Sequence, residues 1–230
     1  GIGAAICERL AHEGASIALT YSRSETEAAN VVRRIGAAGG NAIALRSDSG
    51  NADDNLNIVQ QVTERLGQLD IIVHNAGIAI SKPLGEFTAS EIDRSFAVNV
   101  RSILLTTQAA MPLLPVGGRV IVIGSTVASR TPFPGLALYG ASKAALIGLV
   151  KGLARDFGPF GVTVNLVEPG PIDTDMNPAD SPIAQPHIDL MAIDRYGRAE
   201  EVASMVAYLS LPESGLITGT RLAVDGGFSV

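Results

Sequence analysis

The sequence predicts a three-layer α/β fold, in which a doubly wound parallel sheet is covered by helices on both faces. Three observations favour this class. Short apolar runs alternate with segments of helical period along the chain, Gly-rich turns separate them, and 47% of the 230 side chains are hydrophobic. Because a chain of this length can bury one sizeable core, we expect a single domain over residues 1–230.

Helices and strands are expected in alternation. In the first helix Ala5, Ile6, Leu10 and Ala11 recur at helical spacing, and Gly14 then offers a C-terminal cap. Strands are expected to end in loops at one edge of the sheet, where ligands bind in such folds. Further helices are expected over 25–38, 53–66 and 137–157 and after Ala89, and strands over 17–19, 41–45, 70–74, 119–123, 162–167 and 222–224.

The chain opens with Gly1-Ile2-Gly3 at the start of a helix, and no strand comes before it. Glycines at a helix N-terminus let a pyrophosphate approach the free backbone amides, although such a pair is also a common helix cap. In a doubly wound sheet the strand before this loop is central. We therefore expect the first strand to be missing from this sequence and the physical protein to have roughly fifteen to twenty more N-terminal residues.

Charge and composition argue against several classes of function. A net charge of −6 and a pI near 5.1 provide no broad cationic surface for nucleic acid or an anionic membrane. The single cysteine, Cys7, excludes an internal disulfide and a multi-cysteine metal site, so we expect a reducing compartment and no metal. No apolar run approaches a membrane span and no signal peptide is recognisable, so we expect a cytoplasmic protein.

The strand that ends near Thr20 leads into Ser22 and Arg23, where the adenosine ribose of a dinucleotide would lie. An acidic residue there would bind the ribose 2′-hydroxyl and repel a 2′-phosphate, but none occurs before Glu25. Because serine and arginine accommodate a phosphate, this pattern favours NADP(H) over NAD(H). The alternative is that Arg23 is a solvated residue at the start of a helix.

Small residues follow the strand that ends at His74. Asn75-Ala76-Gly77 would let the backbone pass close to a ligand, although these residues also suit an ordinary turn. A histidine at the end of a buried strand is more often a hydrogen-bonded structural residue than a catalytic one, so we assign His74 no direct chemical role.

A candidate proton-transfer set follows the strand over 119–123. Ser125 lies just past this strand, and Tyr139 and Lys143 open an amphipathic helix four residues apart, on one helical face. Free tyrosine has a pKa of about 10, and a nearby cation stabilises the phenolate. We therefore expect Lys143 to lower the pKa of Tyr139 toward neutrality. The alternative for the pair alone is an ordinary surface contact on a helix.

Taken together, these motifs resemble the short-chain dehydrogenase/reductase family over essentially the entire chain. This resemblance implies a Rossmann fold and a nicotinamide-dependent oxidoreductase acting on CH–OH and C=O groups. Its catalytic set is matched by Asn99, Ser125, Tyr139 and Lys143, and its C-terminal signature by Asp225-Gly226-Gly227. The residues expected at the cofactor are Gly1, Ile2, Gly3, Ser22, Arg23, Asp48, Ser49, Asn75, Ala76, Gly77, Tyr139, Lys143, Pro169, Gly170, Ile172 and Thr174.

The resemblance also implies roles for the catalytic set. Tyr139 would protonate the carbonyl oxygen, Ser125 would hydrogen-bond it, and Lys143 would hold the cofactor ribose and lower the tyrosine pKa. Asn99 would support a proton-relay water near Lys143. The resemblance further implies a homotetramer or homodimer that packs through the long helices after Ala89 and Ala137. The separation of 14 between Ser125 and Tyr139 is one residue longer than in many relatives, which alters the expected substrate mouth.

A lid over the substrate is expected at about 174–195. Five prolines within residues 169–186 argue against regular structure there, and the alternative is a passive surface connection. Apolar side chains in this lid suggest a partly apolar contact surface, and the alternative is that they pack the lid down onto the protein: Met176, Ile183, Ile188, Leu190 and Met191.

Two functions stay open at this point. The layout is similar to that of 3-oxoacyl-acyl-carrier-protein reductases, which implies an NADPH-dependent reductase of a small-molecule carbonyl, or the reverse alcohol oxidation. The stretch 156–175, with Asn177-Pro178-Ala179 following it, is closer to a biofilm-dispersal branch of the family that binds cyclic di-GMP, which implies a regulatory protein on the same fold. The intact catalytic set favours the enzyme.

Overall fold

The computed structural model describes all residues from 1 to 230. A five-residue π-helix, Ala97–Arg101, joins the fourth α-helix to the fifth. The α-helices are α1 (Ile2–His12), α2 (Glu25–Ala37), α3 (Ala52–Leu66), α4 (Ala89–Phe96), α5 (Ser102–Ala110), α6 (Ala137–Phe157), α7 (Ala184–Ile188) and α8 (Ala199–Ser210). The strands are β1 (Ile17–Tyr21), β2 (Ala42–Arg46), β3 (Ile71–His74), β4 (Arg119–Ile123), β5 (Thr163–Pro169), β6 (Ile172–Asp173), β7 (Gly197–Arg198) and β8 (Arg221–Val224).

All the main strands run in the same direction. β1 pairs with β2, while β3, β4, β5 and β8 pair in that order, and every pairing is parallel. The short strands β6 and β7 form a separate parallel pair. The predicted α/β class with a parallel sheet is therefore confirmed, and the loops that follow the strands share one edge of the sheet.

Strand β4 shows how the sheet divides the core into two clusters. Val120 and Val122 belong to one cluster, whereas Ile121 and Ile123 belong to the other, because successive side chains face opposite sides of a strand. The first cluster includes residues of α3, α5 and α6, and the second includes residues of α1, α2 and α8. Both faces of the sheet are thus buried, which explains why its strands are continuous hydrophobic runs.

A cavity of about 750 Å³ lies between β1 and β3. β1 bonds only to β2 and β3 only to β4, so each of these strands keeps one free backbone edge. Apolar side chains of both strands, among them Leu19 and Val73, line the cavity together with residues of α1 and α3. Two free parallel edges beside apolar side chains are the environment of an additional strand.

Two features of the helices differ from the sequence-based expectations. The helix expected after Ala89 is interrupted by the π-helix, which widens the backbone turn around Asn99. Helix α8 has no counterpart among the expected helices. Its Val202, Val206 and Leu209 are nevertheless fully buried at helical spacing, so the signal was present in the sequence.

Helix α6 with the turn after it, residues 137–160, is long and apolar enough to cross a membrane by length and composition alone. This corrects the expectation that no apolar run approaches a membrane span. The core helix of a soluble protein passes the same test. In this fold Leu146 and Val150 of α6 pack into the first core cluster, and the packing against the sheet accounts for the apolar character of the helix.

We expect the chain to gain stability when it is extended before Gly1 by a short lead-in and an apolar strand of about five residues. The added strand would pair with both free edges and bury a few branched side chains in the cavity. Once the entropy cost of ordering the added residues is subtracted, the added strand raises the free energy of unfolding by roughly 2 kcal/mol. This corresponds to a rise in Tm of roughly 4–8 °C. Scanning calorimetry measures the shift. A Gly/Ser extension of equal length is the control, and equal Tm values for both extensions would contradict the assignment of the cavity.

Candidate active site

Two loops meet at the carboxyl edge of the sheet beside the N-terminus of α1. A Cβ atom added at Gly3 would lie 2.6 Å from Asn75 Nδ2, and one added at Gly1 would lie 3.8 Å from Thr174. Any side chain at position 3 would displace the Asn75 amide, so the present position of Asn75 favours glycine there. The glycine segment therefore lies directly beside two of the loops expected to hold a cofactor.

Tyr139 and Lys143 lie on one face of α6, as their spacing predicts. The Lys143 Nζ is 5.9 Å from the centre of the Tyr139 ring. It donates a hydrogen bond of 2.9 Å to the carbonyl oxygen of Ile123, the last residue of β4. A Cβ atom added at Gly77 would lie 3.4 Å from the same Nζ. The end of β4 and the loop after β3 thus confine the buried ammonium group.

Burial raises the pKa of the Tyr139 phenol above its usual value, and a hydrogen bond with Ser125 opposes this rise without cancelling it. The expectation that Lys143 lowers the pKa of Tyr139 is wrong for this arrangement. The reason is geometric, because the ammonium group is hydrogen-bonded to the Ile123 carbonyl and makes no bond to the phenol. Tyr139 therefore keeps its proton at neutral pH, which is the form that a proton donor needs.

Burial also lowers the pKa of Lys143, to about 8. Below that pH the side chain is a cation, and above it the side chain loses its charge. The group that is expected to hold the cofactor ribose consequently titrates close to physiological pH.

Ser125 follows β4 and is buried. Its Oγ accepts a hydrogen bond of 3.3 Å from the backbone N–H of Val127, which caps the short 3₁₀ turn Thr126–Ala128. The loop that continues from this turn reaches Gly135, whose carbonyl accepts a hydrogen bond of 3.1 Å from the Lys82 N–H. The longer segment between Ser125 and Tyr139 is therefore tied to the loop after β3.

Asn99 lies in the π-helix and is 1% exposed. Its Oδ1 accepts from the Ile78 N–H at 2.9 Å, and its Nδ2 donates to the Ile78 carbonyl and the Ser142 Oγ, both at 2.9 Å. A Cβ atom added at Gly77 would lie 3.4 Å from both Asn99 Oδ1 and Lys143 Nζ. The Asn99 side chain therefore fixes the loop after β3 next to Lys143.

A second cavity, of about 210 Å³, opens beyond the ends of β1, β2 and β3. Arg23 does not line it, but its charge is close enough to contribute to lowering the pKa of Asp48. Five residues expected at the cofactor are brought together here. The lining residues are Thr20, Tyr21, Ser22, Ser47, Asp48, Ser49, Ala76, Gly77, Ile78, Arg94 and Val98.

Asp48 is held from two directions in this second cavity. Arg94 Nη2 donates to Asp48 Oδ1 at 2.8 Å, and the Gly50 N–H donates to the same oxygen at 2.9 Å. These bonds, that of Arg94 first, hold the pKa of Asp48 below its usual value. Arg94 was not among the residues predicted from the sequence, because nothing in its helical neighbourhood indicates contact with a residue 46 positions away.

The loop after β5 contributes mostly backbone to the site. The side chains of Pro169 and Ile172 are buried, the latter in the second core cluster, so only their main chains can face a cofactor. Gly170 packs against Asp225, where an added Cβ atom would lie 2.7 Å from the Asp225 Cβ. Thr174, next to Gly1, is the accessible side chain of this predicted group.

The lid expected at 174–195 contains only the one-turn helix α7 and short bridges. Met176 and Ile183 are exposed, as a contact surface requires. His187 of α7 stacks near Phe133 and Phe228, with ring centres 4.7 Å and 6.2 Å away. The lid is thereby connected to the loop before α6 and to the C-terminal segment.

His74 is hydrogen-bonded through Nε2 to Thr107 Oγ1 at 2.9 Å. Burial lowers its pKa to about 4, so the ring is neutral at physiological pH. This geometry agrees with a structural rather than a catalytic role.

Comparison with known proteins places this geometry in a family. A family model described as "Enoyl-(Acyl carrier protein) reductase" matches residues 1–229. Solved structures described as short-chain dehydrogenases superimpose over the whole chain with TM-scores of 0.98. The chain therefore belongs to the short-chain dehydrogenase/reductase family of oxidoreductases.

Three relatives are particularly similar. The "Cyclic-di-GMP-binding biofilm dispersal mediator protein" of Escherichia coli (strain K12) is 43% identical, over 99% of this chain and 92% of that protein. "Versicolorin reductase 1" of Dothistroma septosporum is 36% identical, over 99% of this chain and 91% of that protein. A short-chain dehydrogenase from Burkholderia cenocepacia J2315, solved in complex with NADP, is 49% identical with a TM-score of 0.98, covering 100% of this chain and 94% of that one.

Proposed function

We propose that the protein is an NADPH-dependent reductase of a small-molecule carbonyl, or in reverse a dehydrogenase of the corresponding alcohol with NADP⁺. One observation carries this proposal: Tyr139, whose pKa is raised by burial and opposed in that rise by Ser125, lies on the same helical face as the buried Lys143, at the sheet edge where cofactors bind. Proton donors with these neighbours serve carbonyl reduction.

The residues present fit a nicotinamide dinucleotide phosphate. Gly3 and Gly77 leave room beside Asn75 and Lys143 for a ligand to approach the backbone. The second cavity offers hydroxyl groups and a carboxylate for an adenosine, and Arg23 is exposed beside it for a 2′-phosphate. The complex of the Burkholderia relative with NADP supports the same choice of cofactor.

In the proposed reaction NADPH would supply the hydride, and side chains of the protein would supply the proton and stabilise the charge on the carbonyl oxygen. Tyr139 donates the phenolic proton to the carbonyl oxygen, and the Ser125 hydroxyl donates a hydrogen bond to the same oxygen. Lys143, released from the Ile123 carbonyl, binds the ribose hydroxyls and places a positive charge near the phenolate that forms. Asn99 keeps the loop after β3 in position for this exchange.

The outer side of α6 carries small residues that suit an interface between subunits. We propose one domain over residues 1–230 that assembles as a homodimer or homotetramer in the cytoplasm. Along the outer side of α6, Gly148 and Gly152 have open space around an added Cβ atom, and Ala141 is exposed. Such a small-residue surface permits close approach of a second helix. The substrate is a small-molecule carbonyl, with no role for nucleic acid or membrane.

Tyr139→Phe should reduce NADPH oxidation with carbonyl substrates by roughly 10²–10⁴-fold, because the ring remains but the donated proton is lost. NADPH binding should stay within about threefold of the parent chain, since the phenol is not the main cofactor contact. A screen of ketones, acyl thioesters and quinones by absorbance, followed by titration of NADPH, measures both quantities. Tyr208→Phe on α8 is the matched control. Parent-like turnover in Tyr139→Phe would contradict the assigned proton donor.

NADPH affinity should fall as the pH rises through about 8, because the Lys143 cation is present below its pKa of about 8 and lost above it. Because a single group loses a single proton, the affinity for NADPH should fall by up to about tenfold at pH 9. Tyr139, whose pKa is raised, keeps its proton over the same interval. Fluorescence titration at several pH values measures this. Tyr139→Phe should keep the pH dependence and Lys143→Met should lose it; the same dependence in Lys143→Met would refute the assignment.

A second candidate function is the binding of cyclic di-GMP in a regulatory protein. The observation in its favour is the 43% identity to the Escherichia coli biofilm-dispersal protein over nearly the full chain. Isothermal calorimetry should give a saturable heat at low micromolar ligand if this function applies, and preloading with NADPH shows whether the sites overlap. An absence of heat at concentrations well above micromolar would remove this candidate and leave the reductase.

A further inference from the structure

An ion pair with a buried carboxylate joins β5 to β8 beside the turn that carries Ser125. Glu168 of β5 lies opposite Ala223 of β8, so Arg221, two residues before Ala223, lies on the same face of the sheet. The Arg221 guanidinium group donates from Nε to Glu168 Oε2 at 3.0 Å and from Nη2 to Oε1 at 3.2 Å. Because the Glu168 side chain is only 5% exposed, its charge depends on this bidentate contact.

The turn contacts both members of this ion pair. A Cβ atom added at Gly124 would lie 3.3 Å from Glu168 Cγ, so the backbone packs on the glutamate just before Ser125. At the other end of the turn, Arg221 Nη2 also donates a hydrogen bond to Ser129 Oγ. The ion pair therefore holds the chain on both sides of Ser125.

The side chains inside the turn make weaker contacts. Ser125 Oγ accepts from the Val127 N–H at 3.3 Å, and the buried Thr126 donates through Oγ1 to the Pro169 carbonyl at 3.3 Å. Both distances lie at the long end of hydrogen-bond lengths. The direction of the Ser125 hydroxyl group thus depends on where the two ends of the turn are held.

We infer that Glu168, Arg221 and Ser129 position the hydroxyl group of Ser125 for its hydrogen bond to the reacting carbonyl oxygen. The inference rests on the proposed function, in which Ser125 donates to that oxygen as it gains charge. A donor to such an oxygen is most effective when its geometry is fixed before the reaction. All three are positioning residues, since they act on the substrate through Ser125.

Two variants loosen the turn and keep a cation beside Glu168. Arg221→Lys retains the charge but lacks the planar guanidinium group that reaches Glu168 and Ser129 together. Ser129→Ala leaves the ion pair intact and removes its bond to the turn. In both variants kcat at saturating NADPH should fall about 3–10-fold, because misplacing a donor costs part of the roughly 10²–10³-fold effect of removing it. The dissociation constant of NADPH should stay within about twofold of the parent value, since the lost interaction is with the reacting oxygen.

Absorbance assays with a carbonyl substrate from the screen, and fluorescence titration of NADPH, measure these quantities in the full-length proteins. Arg65→Lys is the matched control, because Arg65 is an exposed arginine on α3, and it should keep the parent kcat. Ser129→Thr keeps the hydroxyl group and should restore the parent kcat.

A double-mutant cycle with Ser125→Ala separates positioning from a general effect on the fold. Once the Ser125 hydroxyl group is absent, Arg221→Lys and Ser129→Ala should change kcat by less than about twofold. Equal losses with and without that hydroxyl group would overturn the inference, as would a parent-like kcat in both single variants. If Ser125→Ala is too slow to measure, a failure of Ser129→Thr to restore kcat overturns it. A parent chain that turns over no carbonyl of the screen would contradict the proposed function first, and the inference with it.

Discussion

The common direction of the main strands is the constraint on which the site depends. Because β3 pairs with β4 and β4 with β5, both in parallel, the loops that follow these strands emerge at the same edge of the sheet. The α1 N-terminus joins them there through Gly1 and Gly3. No antiparallel arrangement of the same segments would bring these loops together, since alternate strands would end at opposite edges.

The chemistry at this edge follows from burial. A low-dielectric environment disfavours the charged form of each group, so the pKa of Tyr139 rises while that of Lys143 falls to about 8. The free protein thus holds a neutral phenol beside a cation that is bonded to a main-chain carbonyl. In the proposed reaction Lys143 exchanges the Ile123 carbonyl for the cofactor ribose, and this exchange would couple cofactor binding to the surroundings of Tyr139.

Much of the architecture was readable in the sequence because its signals are local. The helical spacing in α1 and the apolar run of β4 depend on neighbouring residues, and both elements were predicted close to their bounds. The four-residue separation of Tyr139 and Lys143 likewise defines a helical face. The break in the helix after Ala89 left no such signal. It arises where Asn99 bonds to Ile78 and Ser142, from distant parts of the chain.

The sequence by itself determined the α/β class, the cofactor-type loops and the residues that we propose to exchange protons. Only the tertiary structure decided the direction of the Tyr139 pKa, because the distance of Lys143 from the phenol and the burial of both depend on β4. It also decided that Arg94 holds Asp48, across 46 residues of chain. Periodicity and spacing report contacts within one element, whereas pKa values and cavity walls arise from contacts between elements that the folded chain alone brings together.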